Sequence, residues 1–125
     1  MSACNTVLIV EDDEAIRETM QLALEMRGYV VVTAGNGKEG IAALGKRPSP
    51  CLILLDLMMP VMDGWGFVTA IEHDPRLGRI PVVVVTAFTN QAGTINARSV
   101  IAKPIPLDLL YETVRTYCGD PARTT

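Results

Sequence analysis

No apolar run in the chain approaches the length that a membrane-spanning helix requires. The first residues, Met1 to Asn5, lack the basic stretch and apolar segment of a secretory leader, so the expectation is a cytoplasmic chain with no membrane partner. Cysteine is scarce and scattered: Cys4, Cys51 and Cys118 show neither CxxC spacing nor a companion histidine cluster. That argues against a zinc site and predicts free thiols in a reducing compartment. Positive charge is not in excess, with 11 Lys and Arg against 14 Asp and Glu and a net charge of -3. Direct nucleic-acid binding, which needs a basic field, is not expected. Neither a GxGxxG nor a GxxxxGK[ST] loop follows any apolar run, which argues against a nucleotide-binding module.

What the sequence does hold is a regular alternation. With 125 residues, 49% of them hydrophobic, and a mean hydropathy of +0.27, it is too apolar for disorder. Its length fits one domain over residues 1–125, with a core spanning about 6–118. Five short apolar, valine-rich or leucine-rich runs predict strands at residues 6–10, 29–34, 51–55, 81–86 and 100–102.

Helices are predicted between and after these runs. Residues 14–27 carry Ile16, Met20, Leu22, Ala23, Leu24 and Met26 at roughly helical spacing before the stop signal Gly28. After the turn Gly35-Asn36-Gly37, a short helix should turn Ile41, Ala42 and Leu44 inward. Asp63-Gly64 reads as a turn and cap ahead of a helix bearing Trp65, Phe67, Val68 and Ile71, and Pro106 opens a last helix with Leu107, Leu109, Leu110 and Val114 as its apolar stripe. The tail from Gly119 onward reads as frayed. Successive βα units require right-handed crossovers, which predicts an α/β, doubly wound, flavodoxin-like (βα)5 three-layer sandwich around a five-stranded parallel sheet.

In such a sheet the functional crevice lies beyond the carboxyl ends of the strands. Those ends bring Glu11, Asp12, Asp56, Thr86 and Lys103 together. Converging carboxylates repel unless a cation neutralises them, and Mg²⁺, a hard ion taking one or two protein carboxylates plus phosphate oxygens, suits them. Asp12 and Asp56 are the candidate direct ligands, with Glu11 acting through water. Asp56 is the candidate nucleophile toward a phosphoryl group. The Lys103 ammonium, the Thr86 hydroxyl and nearby backbone N–H groups would stabilise the transferring oxygens.

The order Val10-Glu11-Asp12-Asp13, then Asp56-Leu57-Met58-Met59-Pro60-Val61-Met62-Asp63-Gly64, then Val85-Thr86-Ala87, then Lys103-Pro104 resembles the receiver domains of bacterial two-component response regulators. The resemblance covers about residues 6–118. It implies that Asp56 is phosphorylated by a histidine kinase or histidine phosphotransferase, that the Met58 carbonyl also ligates the metal, and that Thr86 and Lys103 are the switch hydroxyl and the lysine. It further implies a downstream protein partner, and leaves a homodimer open.

Two features depart from that pattern. The segment between Thr86 and Lys103 is short, with Ile95 as the one large apolar residue between Thr89 and Arg98, so the fourth helix is expected to be a loop or a single turn. Val100 stands three residues before the lysine, where the family often carries an aromatic. A phosphate-independent interaction module of the same fold therefore stays open. A phosphohydrolase with an aspartyl nucleophile is disfavoured because Met58 stands where such enzymes present a second, acid-base aspartate. Asp13 and Glu14 read as helix-capping and first-turn charges, and His73 as a capping or surface residue near a helix end. Past the last helix there is no length for an effector domain, so the expectation is action through a partner or membership of a longer protein.

Overall fold

The computed structural model describes residues 4–45 and 49–121. Its elements run β1 (Thr6–Val10), α1 (Glu14–Glu25), β2 (Val30–Ala34), α2 (Gly37–Gly45), β3 (Leu52–Leu55), α3 (Gly64–Glu72), β4 (Val82–Thr86), β5 (Ser99–Ala102) and α4 (Leu107–Cys118). All strand pairs are parallel, in the order β2-β1-β3-β4-β5. This is the expected flavodoxin-like order, with its reversal beside β1 and β3.

The three central strands are buried along nearly their whole length, which is why they read as continuous apolar runs rather than alternating ones. Alternate residues serve two cores. Leu8, Val10, Ile53, Leu55 and Val84 face Leu44, Phe67, Val68 and Ile71 of α2 and α3. Val7, Ile9, Leu52, Leu54, Val83 and Val85 face Met20, Ala23 and Leu24 of α1 and Leu110 and Val114 of α4. Asp13 caps α1 by accepting from the Ile16 N–H, and Asp63 caps α3 by accepting from Gly66. His73 ends α3 with its ring nitrogen 2.7 Å from the Thr69 carbonyl, a local capping contact.

Between β4 and β5 the fourth helix is replaced by a 3-10 turn, Thr89–Gln91. Ala92 is buried there, and Ile95 and Ala97 pack against the α2/α3 core, so three small contacts cover the sheet where a helix would lie. As the edge strand beside this thin cover, β5 is left largely exposed.

Several expectations need correction. Leu22 and Met26 are 61% and 77% exposed, because α1 packs through Ile16, Met20, Ala23 and Leu24. Leu107 and Leu109 are likewise exposed, and α4 buries Leu110, Val114 and Cys118 instead. On α2, Ala42 points outward while Gly40 and Leu44 point in: a Cβ on Gly40 would lie 2.8 Å from the Phe67 ring, so only glycine lets the two helices close. The beginning of the tail is held, since the Tyr29 hydroxyl donates to the Gly119 carbonyl; residues 122–125 lie outside the described residues. The expectation of free thiols fails for two of three cysteines. Cys51 and Cys118 form a disulfide, their Cα atoms 5.5 Å apart although 67 residues separate them, because antiparallel packing of α4 on the sheet returns its last turn to the start of β3. Cys4 is free.

Candidate functional site

The strand ends deliver the site. β1 runs into Glu11, whose N–H donates to the Ala34 carbonyl, and β3 runs into Asp56, whose N–H donates to the Val10 carbonyl; the sheet ladder thus continues one residue past each strand and fixes both acids side by side. Lys103 is fixed in the same way by donating its N–H to the Thr86 carbonyl. Carboxylate oxygens of Glu11, Asp12 and Asp56 lie within 4.8 Å of one another. Glu11 and Asp56 are buried and Asp12 is exposed, so the cluster is a pocket with one open side.

The Lys103 ammonium lies 2.5 Å from Glu11 Oε1 and 3.4 Å from Asp56 Oδ1. Glu11 Oε2 accepts from the Asp13 N–H at 3.1 Å, and its backbone carbonyl accepts from Arg17 at 2.8 Å. Even so, burial pushes the Glu11 carboxyl up to about 7, with the nearby Asp56 charge adding to the rise and Lys103 only partly offsetting it. Asp56 is raised too, first by burial and then by its contact with Asp12, while Lys103 pulls the other way. Burial lowers the Lys103 ammonium, but its pairing with Glu11 and the charge of Asp56 outweigh that and leave it above its ordinary value.

Lys103 therefore pairs with the two buried acids, Glu11 and Asp56, and burial still raises both carboxyls above their ordinary values. A hard divalent cation with oxygen preference would relieve that strain in charge, and the donor set fits Mg²⁺.

The loop from Leu57 to Asp63 is pinned beside Asp56 by a close approach at Gly64. The Gly64 N–H donates to the Leu57 carbonyl at 2.8 Å, and a Cβ on Gly64 would lie 2.7 Å from the Asp56 carbonyl oxygen. Val61 in this loop holds a φ of 68°, the left-handed region that a β-branched residue rarely adopts. Met58 and Phe88 are both exposed, and each follows a strand-end residue of the site by two positions.

Thr86 is fully buried at the end of β4, and its hydroxyl accepts from the Phe88 N–H at 3.0 Å. Of the residues expected from the sequence, Glu11, Asp12, Asp56 and Lys103 come together by direct contact or within one cluster, and Thr86 is joined to Lys103 through the backbone. Arg17, which holds the Glu11 carbonyl, was not foreseen: a helix arginine carries no signal of its tertiary partner. An apolar groove of about 580 Å³ opens beside the site, shares Lys103 with it, and is lined further by Ile16, Met20, Val85, Ile105 and Leu110.

Comparison with known proteins agrees with this geometry. A family model described as the response regulator receiver domain matches residues 7–115. The polar-differentiation response regulator DivK of Brucella anthropi is 32% identical over 120 residues, covering 92% of this chain and 97% of that protein. Among solved structures, the signal receiver domain of a signal transduction histidine kinase from Syntrophus aciditrophicus superposes with a TM-score of 0.83 at 29% identity, over 98% of this chain and 96% of that one. The chemotaxis response regulator CheY4 of Vibrio cholerae gives a TM-score of 0.80 at 29% identity, over 91% of this chain and 98% of that one. With its family model spanning all five strands and its acidic pocket at their carboxyl ends, the chain belongs to the response regulator receiver domains of two-component systems.

Proposed function

We propose that this receiver domain is a phosphoacceptor switch in which Asp56 takes a phosphoryl group from a histidine kinase or histidine phosphotransferase. The observation that carries this reading is the buried Asp56 carboxylate set within 4.8 Å of Glu11 and Asp12 and 3.4 Å from the Lys103 ammonium. Asp12, Asp56 and the Met58 carbonyl would hold Mg²⁺ directly, with Glu11 acting through water. When bound, the ion supplies charge neutralisation for the phosphoryl oxygens. Asp56 supplies the nucleophilic oxygen, Lys103 a second positive contact, and Thr86 a hydroxyl whose proton can go to a phosphoryl oxygen while its own oxygen accepts from the Phe88 N–H.

Lys103 has to shift its pairing in this scheme. It lies closer to Glu11 than to Asp56, so arrival of a phosphoryl group on Asp56 offers the ammonium a stronger partner and draws it away. Movement of Lys103 and Thr86 would alter the loops after β4 and β5, and so the binding of a downstream protein. The domain catalyses its own phosphorylation and dephosphorylation only in the sense that its side chains stabilise the transfer. A cytoplasmic setting is part of this reading, and there the Cys51–Cys118 disulfide would face reducing thiols.

A phosphate-independent interaction module is the second reading. It is favoured by the 3-10 turn that replaces the fourth helix and by the exposed Val100 on β5. Beryllofluoride with Mg²⁺ separates the two: on the first reading it perturbs amide resonances around residues 56, 86 and 103 in the wild type and leaves Asp56→Asn unchanged. Unchanged spectra for both proteins would favour the second.

A further inference from the structure

All three cysteines lie at the N-terminal edge of the sheet, the edge opposite Asp56: Cys4 precedes β1, Cys51 precedes β3, and Cys118 ends α4, which runs back along the sheet. Cys51 and Cys118 are joined as a disulfide, and Cys4 is an exposed free thiol. Two contacts cross between the segments that lead into β1 and β3. The Cys4 thiol reaches the Ser49 carbonyl, two residues before Cys51, at 3.7 Å. Cys51 Sγ lies 3.1 Å from the Thr6 carbonyl, two residues after Cys4. The Cys51 and Thr6 backbones are themselves joined by a 2.9 Å hydrogen bond. The Cys4 sulfur thus lies against the segment that leads into β3, and the Cys51 sulfur against the first residue of β1. Cys118 is only 6% exposed, whereas Cys51 is half-buried, so Cys51 is the more accessible end of the bond.

We propose that Cys4, Cys51 and Cys118 form a thiol–disulfide exchange site, with Cys4 as the entry thiol, that fastens and releases the C-terminal end of α4. Cys4 gives its proton to solvent and attacks Cys51 Sγ. The Cys4–Cys51 bond forms as the Cys51–Cys118 bond breaks, and Cys118 leaves as a thiolate that takes up a proton. This first step is an isomerisation with no net oxidation. A small dithiol then attacks the exposed Cys4 sulfur. Cys4 and Cys51 become thiols, and the dithiol is oxidised to its own disulfide.

The consequence is local. Leu110 and Val114 keep the middle of α4 on the sheet, and Tyr29 still holds the Gly119 carbonyl, so opening the bond loosens the last turn rather than the helix.

The test uses the oxidised full chain, reduced with increasing dithiothreitol and trapped by differential alkylation with peptide mapping, alongside Cys4→Ser. The proposal expects Cys118 to be alkylated first, a Cys4–Cys51 cross-link to appear transiently, and Cys4→Ser to open several-fold more slowly while keeping its Cys51–Cys118 bond. It also expects amide exchange at residues 114–119 to speed at least tenfold once the bond is open. Equal opening rates with and without Cys4, no cross-link containing Cys4, or unchanged exchange at the end of α4 would overturn it.

Discussion

Lys103 lies 2.5 Å from Glu11 and 3.4 Å from Asp56, so the ammonium that bridges the two buried acids is closer to the supporting acid than to the candidate acceptor. Despite that contact, burial holds the Glu11 carboxyl at about 7 against an ordinary 4.5, and Asp56 is shifted in the same direction. A carboxyl raised on folding contributes stability that is fully present below its unfolded pKa and lost as pH rises through its folded one. Without divalent metal, the domain should therefore lose stability between about pH 4.5 and pH 7, by on the order of 3 kcal/mol from Glu11. Urea midpoints across this range should show the slope, and Glu11→Gln should flatten it. Mg²⁺ should raise the midpoint more at pH 8 than at pH 5, since it competes with protons for the same oxygens. A midpoint that rises steadily from pH 4.5 to 7 in the absence of metal would contradict this account of the pocket.

Gly64 has no room for a side chain, since its Cβ would meet the Asp56 carbonyl oxygen at 2.7 Å and Leu57 Cα at 2.9 Å. Both are backbone atoms and cannot swing aside. Gly64→Ala should destabilise the domain by roughly 1–3 kcal/mol through forced backbone displacement, and, with Asp56 as the proposed acceptor, should slow its phosphorylation because that displacement falls on the Asp56 backbone. Gly45→Ala, where a Cβ meets nothing within 4 Å, is the control and should do neither. Chemical denaturation and phosphorylation rates measured together check both halves.

The Cys51–Cys118 bond closes a loop with a sequence separation of 67. On the chain-entropy account a loop of that size is worth about 4 kcal/mol. Reduction should lower the melting temperature by on the order of 10 °C for a domain of this length. Cys4→Ser should melt like the wild type in the oxidised state. Calorimetry with and without reductant reads the difference directly.

Met58 and Phe88 are 46% and 43% exposed. Bulk at these two positions is expected to hinder a water approaching phosphorylated Asp56. Replacing both by small polar residues should speed loss of the phosphoryl group several-fold, measured by intact mass over time. Little change would remove them from any role in setting that lifetime.

Most of the sheet could be read from the sequence because its strands are buried on both faces, and such strands appear as short unbroken apolar runs ending in chemistry-bearing residues. β1 and the acids after it are the clearest case. The carboxyl-end rule for parallel sheets then gathered Glu11, Asp12, Asp56 and Lys103 from distant parts of the chain. Helix faces were harder. Leu22, Met26, Leu107 and Leu109 have the composition of core residues yet stand exposed, since helical spacing restricts which residues share a stripe but not how wide a stripe the sheet can cover. The disulfide was missed for a different reason. Cys51 and Cys118 show no motif, and their meeting depends on the length of α4 and its reversed direction on the sheet, which only the assembled fold reveals. Thr86 was legible as a strand end, but its hydroxyl's present partner, the Phe88 N–H, depends on loop geometry that no pattern in the sequence encodes.

The central claim concerns Asp56 as acceptor, and intact-mass measurement tests it most directly. The full chain is incubated with acetyl phosphate and Mg²⁺, and Asp56→Asn is treated in parallel. The account predicts that the wild type gains the mass of one phosphoryl group, that the gain is lost when Mg²⁺ is chelated before the donor is added, and that Asp56→Asn gains none. A wild type that stays unmodified, or an Asp56→Asn variant that gains the same mass, would contradict it.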